Sequence, residues 1–302
     1  MKHLLFKITG MLVLAGLIAA GCSDVTDTNI DNEISNDLKT SEMHEQLVPF
    51  AIPANADIFW VQDFSEDTDG WFDGSNGGYG SITLNAADET AIFEGGGGSA
   101  PFSGFDGYRN EWPGEYFAEI EVYLDPDAWS LGEGFDYTVA SWGSDDSHQR
   151  DFIFHLTKDT STGALLVGGS NNTNFTPRED LENINSYEVT EAGWYTLQHR
   201  FYDDNEALSV DLNLFDSSGS NLFTETRTNT ADLIPAEVGG NGYSWFTFIS
   251  VEGGIEVDNH SLYKIFGTPE TKKDCKKGGW EEFGFRNQGQ CIRFVNTGKD
   301  SR

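Results

Sequence analysis

The 302-residue chain predicts an all-β fold, a two-sheet antiparallel β-sandwich, on three observations. Between Asp57 and Gly267 apolar residues alternate with polar ones in one run after another. Clusters of Gly, Asn, Asp and Ser divide the runs, and no window there carries a convincing helical stripe. Period-two alternation marks strands with one face buried, and ten or so in about 210 residues fit two stacked sheets.

The chain opens Met1-Lys2-His3-Leu4-Leu5-Phe6-Lys7, followed by an apolar stretch from Ile8 to Ala20. A basic head on a stretch too short to span a bilayer reads as a secretory signal. It ends Leu17-Ile18-Ala19-Ala20-Gly21-Cys22, which resembles the bacterial lipobox. That resemblance implies removal of the segment before Cys22, lipidation of Cys22, and a domain anchored to a membrane outside the cytoplasm. A plain signal peptide cut near Ala20 is the alternative. Ser23 after the cysteine, and the acids Asp24, Asp27, Asp31 and Glu33, resemble the tethers of outer-membrane or surface-exposed lipoproteins. Residues 23–56 hold few large apolar side chains and no sustained period, so they read as a flexible acidic tether. A short amphipathic helix around Leu38–Leu47 is the other reading.

In the body, 57–267, Ala118-Glu119-Ile120-Glu121-Val122-Tyr123-Leu124 sets Ala, Ile, Val and Leu on one face and Glu, Glu and Tyr on the other. Phe135–Trp142 follows, and then Asp151-Phe152-Ile153-Phe154-His155-Leu156. Further runs are Trp194–Tyr202, Leu208–Leu214, Leu222–Arg227, Trp245–Val251 and Ile255–Tyr263. Pro177–Ile184 is expected to form one helical turn. The opening Val61-Gln62-Asp63-Phe64-Ser65-Glu66-Asp67-Thr68-Asp69-Gly70-Trp71 and the closing Gly254-Ile255-Glu256-Val257-Asp258-Asn259-His260-Ser261-Leu262-Tyr263 resemble the concanavalin A-like lectin/glucanase family. The resemblance covers about two thirds of the chain and implies a jelly roll and glycan binding.

Residues 268–302 differ in kind. Cys275 and Cys291, in an exported chain, read as a disulfide closing a short loop. Zinc would require more thiolate or imidazole ligands, and no histidine lies there. The pattern Cys-Lys-x-Gly-Gly-Trp leading to Asn-Gln-Gly-Gln-Cys resembles a short appended motif of secreted bacterial proteins.

With the aliphatic faces inward, the outward faces present Glu119, Glu121, Tyr123, Asp151, His155, Gln198, Arg200, Tyr202, Asp211 and Asn213. Planar amides, carboxylates, Arg and aromatics suit sugar hydroxyls, so these are the ligand-binding candidates; an ordinary solvated face is the bland alternative. His199 alternates in phase with Leu197 and Phe201 and reads as a core histidine.

Glycoside hydrolysis requires two suitably spaced carboxylates. Laminarinase-type enzymes of the resembled family use a strand motif E-x-D-x-x-E, or a form with the last acid one position earlier. Here Leu124 and Tyr123 occupy those positions. A lyase-like assembly of His155, Arg200 and Tyr202 is the other catalytic reading. The cluster Ser144-Asp145-Asp146 with His148 and Asp151 matches no nucleophile elbow and no zinc signature. Calcium is the expected cation: Asp63, Glu66, Asp67 and Asp69 sit at the entrance to the sandwich, Asp258 is on the closing strand, and hard oxygens suit Ca²⁺. Trp112, Trp129 and Trp142 near turns are either sugar-stacking platforms or corner plugs.

The formal charge of −32 excludes nucleic acid as a partner, because a chain this acidic repels phosphate. Residues 268–302 carry 8 basic and 5 acidic side chains, whereas 23–267 carry 8 basic and 45 acidic. Such a lysine-poor surface suits strong hydration in salt water. Together these features lead to a surface-anchored lipoprotein that binds a glycan or other extracellular partner without catalysis. A polysaccharide lyase or glycoside hydrolase, and a structural envelope protein, are the alternatives.

Overall fold

A computed structural model describes residues 52–53, 55–171 and 180–302, all within one compact unit, Leu47–Arg302. The signal segment, Cys22, nearly all of the tether, its alternative helix at Leu38–Leu47, and 177–179 of the expected turn lie outside the described residues. Among the described residues no helix is long and apolar enough to cross a membrane.

Fifteen strands are described. They begin with β1 (Ala56–Gln62), β2 (Trp71–Phe72), β3 (Ser81–Asn85), β4 (Thr90–Glu94) and β5 (Ser99–Ser103). The middle of the chain gives β6 (Tyr116–Leu124), β7 (Gly134–Gly143), β8 (His148–Lys158), β9 (Leu165–Ser170) and β10 (Ser186–Val189). Last come β11 (Gly193–Asp204), β12 (Ala207–Asp216), β13 (Asn221–Leu233), β14 (Val238–Thr247) and β15 (Ile255–Ile265). An eight-stranded sheet runs β13-β12-β11-β6-β15-β4-β3, with β1 also paired to β15; a seven-stranded sheet runs β10-β9-β8-β7-β14-β5-β2. Every pairing is antiparallel, giving the jelly-roll sandwich expected.

The core between the sheets follows from the alternation. Ala118, Ile120, Val122 and Leu124 of β6, Leu197 and Phe201 of β11, and Leu208, Val210, Leu212 and Leu214 of β12 face Phe135, Tyr137, Val139, Phe152, Phe154 and Leu156 of the other sheet. His199 sits fully buried among them and bonds through Nε2 with the Phe152 carbonyl at 3.1 Å. Burial pushes its pKa down to about 3, so it is a neutral packed ring, as its phase predicts.

Two departures from the sequence reading, the start of β14 and the helices of the tail, have local causes. Strand β14 begins at Val238, not Trp245, because Gly239-Gly240-Asn241-Gly242 reads as a turn cluster yet is extended. A Cβ on Gly239 would stand 2.5 Å from the Asn110 backbone, and one on Gly240 2.8 Å from Arg109 Cβ. The absent side chains let the 104–111 loop lie against the sheet. The expected helical turn is a single 3-10 turn at Leu181–Asn183. The tail holds two helices, α1 (Gly279–Glu282) and α2 (Gln288–Thr297), which a basic, glycine-broken segment does not announce. Asn287 caps α2 by accepting from Gln290 N, and Gly298 closes it in the left-handed region.

The disulfide Cys275–Cys291 is formed and anchors a second, small core with Phe285, Trp280, Phe283 and Phe294. Arg302 lies over the Phe285 ring and donates to the carbonyls of Gly267 and Phe283, tying the chain end to the exit from β15.

Candidate functional site

The ten candidate residues divide between two faces. Eight of them, Glu119, Glu121, Tyr123, Gln198, Arg200, Tyr202, Asp211 and Asn213, share the outer face of the eight-stranded sheet. Register places Ser261, Glu119, Gln198, Asn213 and Thr224 side by side across five strands. Their polar atoms bind one another. Tyr263 Oη and Gln198 Nε2 donate to Glu119 Oε1 at 2.6 and 2.5 Å, Asn213 Nδ2 donates to Gln198 Oε1 at 2.9 Å, and Thr224 Oγ1 donates to Asn213 Oδ1 at 2.7 Å. A parallel row puts Arg200 on Asp211 and Glu115, with its guanidinium 4.5 Å from the Tyr202 ring centre. Glu119 is 2% exposed. Burial pushes its pKa up to about 7, against the two hydrogen bonds, which pull it down.

The other two, Asp151 and His155, lie on β8, on the outer face of the seven-stranded sheet. This corrects the lyase-like assembly: His155 is on one sheet, Arg200 and Tyr202 on the other, and a sandwich core separates them. The hydrolase reading fares no better. Glu119 is held by Tyr263 and Gln198, and Glu121 accepts from Asn259 Nδ2 at 2.8 Å. Tyr123, half-buried against Trp194, stands where a third acid belongs.

The seven-stranded sheet presents a different surface. Register aligns Ile153, Thr138, Trp245, Phe102 and Phe72 across β8, β7, β14, β5 and β2. Phe72 and Phe102 stack at 5.1 Å, and Trp245 meets Tyr243 edge-on at 6.2 Å. Tyr108 closes the row, 6.4 Å from Tyr243 and 4.4 Å from Trp142. Trp142, Tyr243 and Trp245 are half-buried, and Tyr108 and Phe72 are exposed, so the rings form a continuous band at the surface.

Carboxylates fix the rings. Tyr243 Oη donates to Asp151 Oδ1 at 2.9 Å, and Trp142 Nε1 donates to Asp146 Oδ1 at 2.9 Å. His148 Nε2 bonds to the same Asp151 oxygen at 3.1 Å while its ring stacks on Tyr243; that hydrogen bond raises its pKa above the usual imidazole value. Asn241 holds the Tyr108 loop by accepting from Arg109 and donating to the Gly107 carbonyl. Of the three turn tryptophans, Trp142 belongs to the band, Trp129 is a buried plug, and Trp112 packs on Tyr116.

The five expected calcium ligands do not converge. The side-chain amide of Gln62 occupies the centre of the entrance loop, donating to Asp67 Oδ1 at 3.0 Å and to the Asp69 carbonyl at 3.1 Å. An N–H donor thus stands where a cation would. Asp63 is committed to Ser65, and Glu66 is an exposed loop acid. Asp258 accepts from Asn259, its pKa pushed up to about 7 by burial and by neighbouring Glu121, Asp63 and Glu256. Among the described residues no group of three or more His, Cys, Asp or Glu side chains could hold a metal ion.

No family model matches this chain, and no curated protein matches it. Solved structures do. The potassium-bound carbohydrate recognition domain of Emp46p is 14% identical, covering 68% of this chain and 96% of that one, with a TM-score of 0.44. An endo-1,3-β-glucanase from Streptomyces sioyaensis is 10% identical over 71% and 98%, at 0.43. Peanut lectin is 10% identical over 69% and 98%, at 0.40. At these identities and scores they are likenesses of chain trace.

Proposed function

We propose that the outer face of the seven-stranded sheet binds a glycan, with Trp245, Tyr243, Trp142 and Tyr108 as stacking surfaces; Asp146 and Asp151 orient Trp142 and Tyr243, and the Ala100 carbonyl orients Trp245. The observation that carries this is the part-exposed band of rings, three of them held by hydrogen bonds to Asp146, Asp151 and the Ala100 carbonyl. Sugar rings offer C–H faces to aromatics and hydroxyls to carboxylates, and the rings are preorganised by their hydrogen bonds. The opposite face supports the choice by contrast, since its polar groups already satisfy one another.

Glycan-array screening followed by calorimetry on the best ligand tests the reading. Trp245→Ala should weaken binding about tenfold, the loss of one stacked ring of about 1.4 kcal/mol. Gln198→Ala should leave it unchanged; the reverse pattern would move the site to the other sheet.

The same proposal places the domain outside the cytoplasm on a lipidated Cys22, with residues 23–56 as its acidic tether. The lipobox-like Leu17–Cys22 supports this. Metabolic labelling with a fatty-acid analogue should mark the native chain and not Cys22→Ser. Protease treatment of intact cells that leaves the protein whole would overturn surface display.

A further inference from the structure

The buried polar groups beneath the band's flank have an arrangement that glycan binding does not use. His155 Nδ1 is 2.5 Å from Asp136 Oδ1, and His155 Nε2 is 2.8 Å from Ser170 Oγ. Three adjacent strands, β7, β8 and β9, supply the three residues on the same outward face. Exposure rises along the series from 0% at Asp136 through 2% at His155 to 9% at Ser170. The carboxylate is deepest and the hydroxyl outermost, the order that acyl transfer requires of an orienting acid, a base and a nucleophile. Burial pushes the His155 pKa down to about 4, so at neutral pH the ring is uncharged and accepts at Nε2 when Nδ1 donates to Asp136.

Two further features lie at Ser170. Pairing of β10 with β9 ends at Gly168, so among the described residues Ser170 has no strand partner on that side. Arg227 Nη2 donates to the Gly169 carbonyl at 2.7 Å, which fixes a guanidinium on the peptide joining Gly169 to Ser170. Arg227 Nη2 also pairs with Glu225 Oε1 at 2.9 Å, while Arg227 Nε is a buried N–H with no hydrogen-bond partner among the described residues, a donor of the group left for a developing negative charge.

We propose that Ser170, His155 and Asp136 form a catalytic set that hydrolyses small carboxylic esters, with Arg227 as the positive group that steadies the oxyanion. Ser170 Oγ attacks the ester carbonyl carbon while its proton passes to His155 Nε2. The carbon–oxygen bond to the leaving alcohol then breaks, and His155 returns the proton to that oxygen. Water attacks the acyl-serine, gives a proton to His155, and releases the carboxylic acid as Ser170 regains its hydrogen. Ser170 is only 9% exposed, which favours a small acyl group such as acetyl. Register sets Ser170 three strands from Trp245, roughly 14 Å at ~4.8 Å per strand. An O-acetylated glycan lying on the band is therefore the natural substrate class; that part rests on the preceding proposal.

The test uses the folded protein with probes that contain no sugar, so its outcome is independent of glycan binding. A fluorophosphonate should label the native chain, and peptide mass analysis should place the adduct on Ser170. p-Nitrophenyl acetate turnover should fall by roughly 10³ or more in Ser170→Ala at unchanged melting temperature. Asp136→Asn, which keeps the hydrogen-bond geometry but favours the wrong tautomer, should depress turnover similarly. Absence of a Ser170 adduct on the native protein, or equal turnover by Ser170→Ala, overturns the proposal.

Discussion

Replacing Glu119 by Gln should make the protein more stable at pH 8 and leave it nearly unchanged at pH 5. Glu119 is a buried carboxyl on the outer face of the larger sheet, and desolvation raises its pKa from 4.5 to about 7. Below 4.5 the folded and unfolded chains both hold the proton, so the group contributes nothing to pH dependence. Between 4.5 and 7 the folded chain keeps a proton that the unfolded chain has lost, and stability falls as pH rises. Above 7 the folded chain must carry the buried charge. At 1.36 kcal/mol per tenfold difference in proton affinity, the full penalty is about 3 kcal/mol. Gln retains an oxygen to accept from Tyr263 Oη and Gln198 Nε2, so the substitution removes the ionisation while the row of hydrogen bonds survives. Urea unfolding of both proteins at intervals from pH 5 to 8 measures the difference. The variant's advantage should grow from near zero to 1–3 kcal/mol across that range. Parallel stability curves for the two proteins would show that Glu119 is ionised in the fold, and the argument from burial would fail.

Asn241→Leu should cost about 1–3 kcal/mol, because it leaves Arg109 and the Gly107 carbonyl unpaired, and glycan affinity should drop with it as Tyr108 loosens. Urea melts and calorimetry on the same preparation check both effects. Reduction of the Cys275–Cys291 bond, or Cys275→Ser with Cys291→Ser, should unfold the tail at a cost of about 3 kcal/mol while the sandwich melts unchanged, since the tail has its own core. Hydrogen exchange confined to residues beyond Gly267 would report it. Raising NaCl from ~0.05 to ~1 M should raise the melting temperature, as shortening the Debye length from over 10 Å to ~3 Å screens the self-repulsion of 45 acids against 8 bases in residues 23–267.

Strand faces were readable where alternation is strict. Ala118–Leu124 and Leu208–Leu214 point as their sequences dictate, and His199 is in the core because it keeps step with Leu197 and Phe201. Strand β9 was invisible, because Leu165-Leu166-Val167-Gly168-Gly169-Ser170 is buried on both faces and so does not alternate. The same strand carries Ser170, which explains why the Asp136–His155–Ser170 set has no signature in sequence. Its members are strand neighbours only by register, separated by 19 and 15 residues. The band is half legible: Trp142 stands out at a turn, but the glycine cluster before Tyr243 hides the start of β14 and so parts Tyr243 from Trp245. A period-two pattern says which side chains share a strand face, and it is silent on which strands share a sheet.

The two outer faces of the sandwich show why polarity alone misleads as a guide to binding. On the larger sheet the polar residues are numerous, yet in the row from Glu119 to Thr224 each side chain is hydrogen-bonded to its neighbour across the ladder. A ligand there would have to break protein hydrogen bonds to form its own, for little net gain. On the smaller sheet the carboxylates Asp146 and Asp151 are spent on positioning indole and phenol rings, whose faces make no competing hydrogen bond. Rings so held lose little freedom when a sugar settles on them, and the surface they give up to it is apolar. This contrast is what favours the face with fewer polar groups as the proposed recognition surface. A glycan-binding screen of single substitutions across both faces should find its losses confined to the Phe72–Trp245–Tyr108 band; losses centred on Gln198 and Asn213 would refute this distinction.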